Sequence, residues 1–583
     1  MTFPARLQHW ITTPVLKSRD SRLIFWFSLS ITFALIYTFM GLREAFSSEY
    51  VIHDDVRSHV FWMERFIDPG LFPNDLIADY FQSVAPAGYT WLYKAAAFLG
   101  IDPIGFNKFL PLPLVLITTI YGFWISMELL PVPAAGFIAT LLLNQTTWNT
   151  HDIPSGTPRA FIYPLFMAFI YYVLRRNLLP SLVTIVLQGL FYPQTVFLSS
   201  AVLVLRVLRL DRGRPRLSRD RQDYVFCICG LSVAFVMLLP YALKISDYDP
   251  VLTVAEARSL PTLEGEGRKE FFFDDPLKFW FCGERSGMLP YNWCKYERPP
   301  QLWASILLLI LLRFPKRFPL QEQITKHIVI LPQILVASLG MFFLAHALLF
   351  RLHLPSRYTK HSIRILVALA AGIALVLLLD AVFRWAQRGR SHPLQRQLTV
   401  VGTLVLMSAY IFGYPLLMDE YPNPDYVRAE APKMYQFFAR QPKDILIASL
   451  SEQANNIPSI SRRSVLASSE IANPYHMGYY NQIQTRVYDM MQAQYSLDMA
   501  DVKAFIRKYG IDYWLVDANA FQADYIESNS WLRQIEPYSS DARRNLLAGQ
   551  TPALATVMNP CDAVRSQGRI VLDAQCILEA PDP

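Results

Sequence analysis

Two adjacent carboxylates, Asp54 and Asp55, stand in the run Val51-Ile52-His53-Asp54-Asp55-Val56-Arg57-Ser58-His59. Neighbouring residues cannot point the same way on a regular strand or helix, so one acid can face a reaction centre while the other orients a base, a metal or an arginine. Arg57 is placed to hold one of them ionised, and His59 follows two residues later. A carboxylate so placed can act as general base for an attacking hydroxyl. Further polar groups fall in segments that hydropathy assigns to the same side of a membrane: Asn149-Thr150-His151-Asp152 with Arg159, then Gln194, then Arg357-Tyr358 with Lys360 and His361. Arginine grips phosphate in a bidentate fork, and acids and cations on one face are what phosphate-leaving-group chemistry requires. Asp54, Asp55 and Asp152 also offer hard oxygen ligands to Mg²⁺ or Mn²⁺, although no spacing is diagnostic of a metal. There is no Walker A loop, GxSxG elbow or HExxH, so ATP-driven transport and serine hydrolysis lack support.

The elements that must position these groups are membrane helices. Of 583 residues 53% are hydrophobic and only 17% charged, with the charges in blocks between apolar runs. The net charge of +7 is a topology signal and not a nucleic-acid one, because basic loops are retained in the cytoplasm. Arg6, Lys17, Arg19 and Arg22 before the first span, and Arg206, Arg209, Arg212, Arg214, Arg216, Arg219 and Arg221 in one later loop, set the orientation. The path predicts about eleven spans: Leu23–Phe39, Ile104–Met127, Val132–Trp148, Arg159–Leu174, a hairpin over Leu178–Leu208, Tyr224–Leu243, Leu302–Leu312, Ile328–Phe350, Ile363–Phe383 and Leu398–Met418. The hairpin follows from basic residues at both ends and Phe191-Tyr192-Pro193-Gln194 in the middle, where proline breaks the ladder. Short helices at membrane depth point to a cavity. Segment Val84–Leu99, with Pro86, Gly88 and Lys94, reads as an interfacial helix and not a crossing.

This path makes 1–418 a transmembrane domain with external loops over 42–103 and 244–300, and 419–583 an external domain. In the latter, Asp444–Ala448 and Asp512–Val516 have strand length, and Met499–Tyr509 has helical spacing with Gly510 as its stop. Strand, helix, strand predicts a small α/β domain. Cys282 with Cys294, and Cys561 with Cys576, share external segments and fit disulfides in an oxidising compartment. Cys227 and Cys229 lie in a span as packing residues.

With these residues in place, the chain resembles the GT-C superfamily of integral-membrane glycosyltransferases. The likeness rests on Asp54-Asp55 in the first external loop, the hairpin around Tyr192-Pro193-Gln194, the Arg357-Tyr358 step and the external α/β domain. Ala85-Pro86-Ala87-Gly88-Tyr89-Thr90-Trp91-Leu92 is similar to the Pro-Pro-Leu-Tyr-Tyr stretch of the lipid-A aminoarabinose and protein-mannosyl transferase branch. The lysine that often precedes that stretch is absent, and so is the Trp-Trp-Asp signature of oligosaccharyltransferases, so a single-sugar transferase fits better. The resemblance implies an inverting transfer from a polyprenyl-phosphate sugar to an acceptor hydroxyl on a glycan, lipid or protein. Asp55 would be the base, with Asp54 beside it. Arg57, His59, Asp152, Arg159, Gln194, Arg357 and Tyr358 would bind substrate, with Arg357 or Arg159 stabilising the departing phosphate. The expected location is a bacterial inner membrane, with the N-terminus cytoplasmic and the C-terminal domain periplasmic. The competing readings are a transporter or flippase of lipid-linked sugars and a non-catalytic envelope protein. A transporter predicts mid-span charges and an inverted repeat.

Overall fold

A computed structural model describes residues 2–15, 19–211, 214–244, 246–265, 267–295, 299–388 and 392–581. Lys17 and Arg212, two of the orienting cations, lie outside the described residues. The chain forms two compact units, one of Met1–Arg43, Lys108–Leu243 and Leu277–Asp425, the other of Glu44–Asn107, Lys244–Pro276 and Tyr426–Pro583. The expected boundary at Met418 therefore moves to Asp425. The first loop and the front half of the 244–300 loop fold with the C-terminal residues, while 277–300 belongs with the helices.

The first unit is helical. Every segment read as a span is helix, but only five described helices are long and apolar enough to cross a membrane: Ser21–Ala45, Pro103–Leu129, Arg221–Leu243, Lys326–Ala347 and Pro355–Gln387. The others are shorter or more polar, among them Pro133–Thr147, Pro158–Leu174 and Gln301–Leu311. The hairpin is two 14-residue helices, Leu178–Phe191 and Gln194–Val207, each about 21 Å long against a bilayer core of about 30 Å. They break at Tyr192-Pro193, and buried Ser199 Oγ donates to Gln188 Oε1 at 2.7 Å to tie them together.

Helix Lys360–Gln387 is buried along most of its length and packs against Pro133–Thr147 and Pro300–Leu311. Gly372 permits that approach: a Cβ there would stand 2.6 Å from the Ala135 carbonyl oxygen. Small residues let membrane helices approach in this way. At the far end of the same helix, buried Asp380 accepts from Gln8 Nε2 at 2.8 Å, Thr12 Oγ1 at 3.1 Å and Arg384 Nε at 2.6 Å. Helix Phe3–Ile11 is fixed to it by those bonds.

The strands of the chain are β1 (Val51–His53), β2 (Leu208–Asp211), β3 (Arg214–Leu217), β4 (Tyr426–Arg428), β5 (Leu446–Ser449), β6 (Ser464–Val465), β7 (Tyr513–Asp517), β8 (Asp562–Ser566) and β9 (Arg569–Asp573). In the second unit, β6-β5-β7-β9-β8 form one sheet, parallel across β6, β5 and β7 and antiparallel from β7 onward. Helix Met499–Tyr509 lies in the connection from β6 to β7. Asp498 caps its start by accepting from Ala500 N at 2.8 Å, and Gly510 ends it at φ 65°, the left-handed conformation glycine adopts without strain. Its Phe505 packs against Trp514 of β7, ring centroids 4.9 Å apart. Segment Val84–Leu99 becomes helix Ala87–Phe98, at 12 residues too short to cross, with Trp91 and Phe98 exposed. Cys282 is joined to Cys294 in the first unit, and Cys561 to Cys576 in the second.

Candidate functional site

The acid pair is set by a strand end. β1 pairs antiparallel with β4, His53 opposite Tyr426, and the chain then turns through Asp54 and Asp55 into the single-turn helix Val56–His59. The Asp55 amide donates to His53 Nδ1 at 3.1 Å, which fixes that turn. The two acids have different partners. Asp54 forms an ion pair with Arg57, whose buried guanidinium also reaches Asn456 Oδ1 at 3.3 Å and Glu470 Oε2 at 3.4 Å. Glu470 pairs with Arg268 and lies 3.6 Å from Lys269 Nζ. Its backbone N–H donates to Asn455 Oδ1 at 2.9 Å. Burial acts to raise the Glu470 carboxyl, but Lys269, Arg268 and Arg57 outweigh it and hold it below the usual range. Burial, then the Glu470 charge, pushes Asp54 up against the pull of Arg57. Arg57 therefore belongs to a buried charge network and not to an open binding surface. His59 packs edge-on to Phe81, centroids 6.0 Å apart.

The other expected site residues lie in the helical unit. Asp152, in the turn between helices Pro133–Thr147 and Ile162–Leu174, is fully buried. Lys360 Nζ and His361 Nε2 each lie 3.2 Å from its Oδ1, and Arg364 Nη1 lies 2.9 Å from its Oδ2. Burial opposes ionisation of Asp152, yet Lys360, His361 and Arg364 hold its carboxyl well below the usual range. Asp152 is thus enclosed by Lys360, His361 and Arg364. Tyr358 is buried, and its hydroxyl donates to the Leu352 carbonyl at 2.9 Å. Gln194 opens the second hairpin helix, its Oε1 buried without a hydrogen-bond partner. Arg159 sits in the 3₁₀ turn Pro158–Phe161.

Arg357 is different. It stands in the 3₁₀ turn Pro355–Tyr358, which leads into the 28-residue helix Lys360–Gln387. Its Nε and Nη1 are buried with no hydrogen-bond partner. Ser356 Oγ donates to the Glu284 carbonyl at 2.9 Å, bringing the 277–300 segment to this turn. The cation Arg285, opposed by burial and helped by Arg357, Lys360 and His151, holds the Glu284 carboxyl down to about 2. Arg285, Arg357, Lys360 and Arg364 thus face the two acids Asp152 and Glu284, an excess of positive charge at a helix N-terminus, which itself favours anions.

The metal reading does not fit these residues. Among the described residues no three His, Cys, Asp or Glu side chains come together as a metal site. Both oxygens of Asp152 are held by cations, and Asp54 is held by Arg57. Sequence reasoning missed Glu470, Arg268, Lys269, Glu284 and Arg364. Only Arg364 carried a signal, four residues after Lys360 and so on the same helix face.

No protein-family model and no curated protein matches the chain. Solved structures do. The oligosaccharyltransferase of Archaeoglobus fulgidus in its apo form superposes with a TM-score of 0.56 at 11% identity, over 89% of this chain and 72% of that one. The same organism's oligosaccharyltransferase AglB with an inhibitory peptide and a dolichol-phosphate gives 0.55 at 10% identity, over 88% and 72%. Its complex with Zn and sulfate gives 0.51 at 12% identity, over 89% and 70%. At such identities the likeness shows the fold alone.

Proposed function

We propose that the chain is an inverting glycosyltransferase that moves one sugar from a polyprenyl-phosphate donor to an acceptor hydroxyl, on the periplasmic face of a bacterial inner membrane. The observation that carries this reading is Arg357, a guanidinium with two buried, unpartnered nitrogens among surplus cations. A buried donor left unpaired costs about 1–3 kcal/mol, and more when charged. A phosphate oxygen would satisfy it. The apolar helices alongside suit a polyprenyl chain, and the fold is one that a dolichol-phosphate-bound enzyme shares.

In the reaction, the acceptor oxygen attacks the anomeric carbon from the face opposite the phosphate. The new C–O bond forms as the bond to the phosphate oxygen breaks, and the leaving phosphate keeps the electron pair. Arg357 meets that charge, with Arg159 as a second cation, while Asp152 holds Lys360, His361 and Arg364 in place. Asp55 accepts the acceptor's proton. Asp54 is the weaker choice for the base because Arg57 occupies it. No step requires a metal. The absence of a Trp-Trp-Asp signature favours a hydroxyl acceptor over asparagine.

Donor turnover by the purified protein in lipid tests this. Asp55→Asn should lower polyprenyl phosphate release by about 10²–10⁴-fold while donor still binds. Equal rates for Asp55→Asn and wild type would remove Asp55 as the base, and donor binding without any turnover would remove the transferase reading.

A further inference from the structure

The second unit carries an open cleft of about 540 Å³, counting its mouth. Tyr480, Gln484 and Tyr488 recur every four residues along helix Met477–Tyr495 and so share one face. Trp531 and Gln534, from helix Ser530–Arg533 and its end, line the same cleft, as do Thr262 and Ser469. Rings therefore alternate with neutral groups that both donate and accept hydrogen bonds. Among the described residues the lining has one charged residue, Arg268, and its charge is already met by Glu470. The walls are helices, a 3₁₀ turn and the loops carrying Arg268, Ser469 and Ala472, and among the described residues that line it no strand offers an edge for an extended peptide to join.

We propose that this cleft binds a neutral oligosaccharide, the acceptor of the transfer. Sugar rings would lay their C–H faces on Trp531 and Tyr488, and their hydroxyls would bond the Gln484 and Gln534 amides. Arg268 links the cleft to the acid pair. Its Nη1 donates to Ser469 Oγ at 2.9 Å, it pairs with Glu470, Glu470 pairs with Arg57, and Arg57 with Asp54. As an acceptor site the cleft rests on the transferase reading; as a saccharide site it does not.

The test is saturation-transfer NMR on the full-length protein in lipid nanodiscs, without donor. The probes are mannotriose, galactotetraose and cellotetraose, with a neutral Ser/Thr-rich tetrapeptide as the competing class. At least one oligosaccharide should bind, and Trp531→Ala should weaken it about tenfold, the value of one aromatic contact. The half-buried, polar Gln484→Ala should weaken it as well and keeps the test valid if the tryptophan variant does not fold. The proposal is overturned if no oligosaccharide binds, if only the tetrapeptide binds, or if both variants bind as wild type does. Saccharide binding that depends on Trp531, in a protein that turns over no lipid-linked sugar, would keep the cleft and remove the transferase reading instead.

Discussion

Replacing Glu470 by glutamine removes one charge from the second unit and almost no volume. The carboxylate is 5% exposed and sits among Arg57 at 3.4 Å, Lys269 at 3.6 Å and Arg268. Without it, three cations face only Asp54 and Asp55. Breaking a buried pair by removing one partner costs roughly 3–5 kcal/mol. In a unit of this size about 1 kcal/mol moves a melting midpoint by 2–4 °C, so Glu470→Gln should lower it by roughly 6–20 °C. Differential scanning calorimetry of the full chain in detergent reads that change. A second effect has the opposite sign for a neighbour. Glu470 is the charge that most raises Asp54, so its loss should let Asp54 titrate at lower pH. Carboxyl ¹³C NMR, with Asp54→Asn to assign the resonance, follows this directly. A midpoint within about 2 °C of wild type and an unmoved Asp54 titration would together refute the network.

Buried Glu64, pushed up to about 8 mainly by burial and then by Asp102, makes stability depend on pH. Its unfolded carboxyl titrates near 4.5, so its contribution is complete below that pH, falls by about 1.4 kcal/mol per pH unit as pH rises, and levels off above about 8. Unfolding of Glu64→Gln between pH 5 and 8 should lack that slope, and equal slopes would contradict the assignment. Arg357→Ala should weaken polyprenyl phosphate binding by about 10–100-fold, the loss of a charge-assisted bond of roughly 1.5–3 kcal/mol, as measured by displacement of a labelled lipid. Gly372→Val should destabilise the helical unit by about 1–3 kcal/mol through overpacking against Ala135, seen as earlier thermal aggregation in detergent.

The helices were legible because their signals are local. Pro193 marked the hairpin break from ring chemistry alone, and Gly510 marked the end of Met499–Tyr509. The two short halves of Leu178–Leu208 were legible for the same reason, since basic residues at both ends and Pro193 between them leave too few residues for two full crossings. The acid pair was visible as a pair, but its asymmetry was not: Asp54 differs from Asp55 because Arg57 and Glu470 reach it, and Glu470 lies 413 positions from Arg57. Asp152 read as a loop acid because nothing in Asn149-Thr150-His151-Asp152 reports that Lys360, His361 and Arg364 of another helix enclose it.

That separation along the chain also has a consequence in time. β1 needs β4 as its partner, with Val51 opposite Arg428, and Arg57 needs Glu470. At a synthesis rate of about 5–20 residues per second, Glu470 leaves the ribosome roughly 20–80 s after Arg57. Throughout that interval the segment carrying Asp54 and Asp55 waits unpaired while the intervening helices are inserted. A chain truncated before β4 lacks both partners and leaves the acids on an unstructured strand. Biogenesis thus keeps the acid pair unassembled until translation is nearly complete, and a chaperone that shields Val51–His53 during the wait would raise the yield of folded protein.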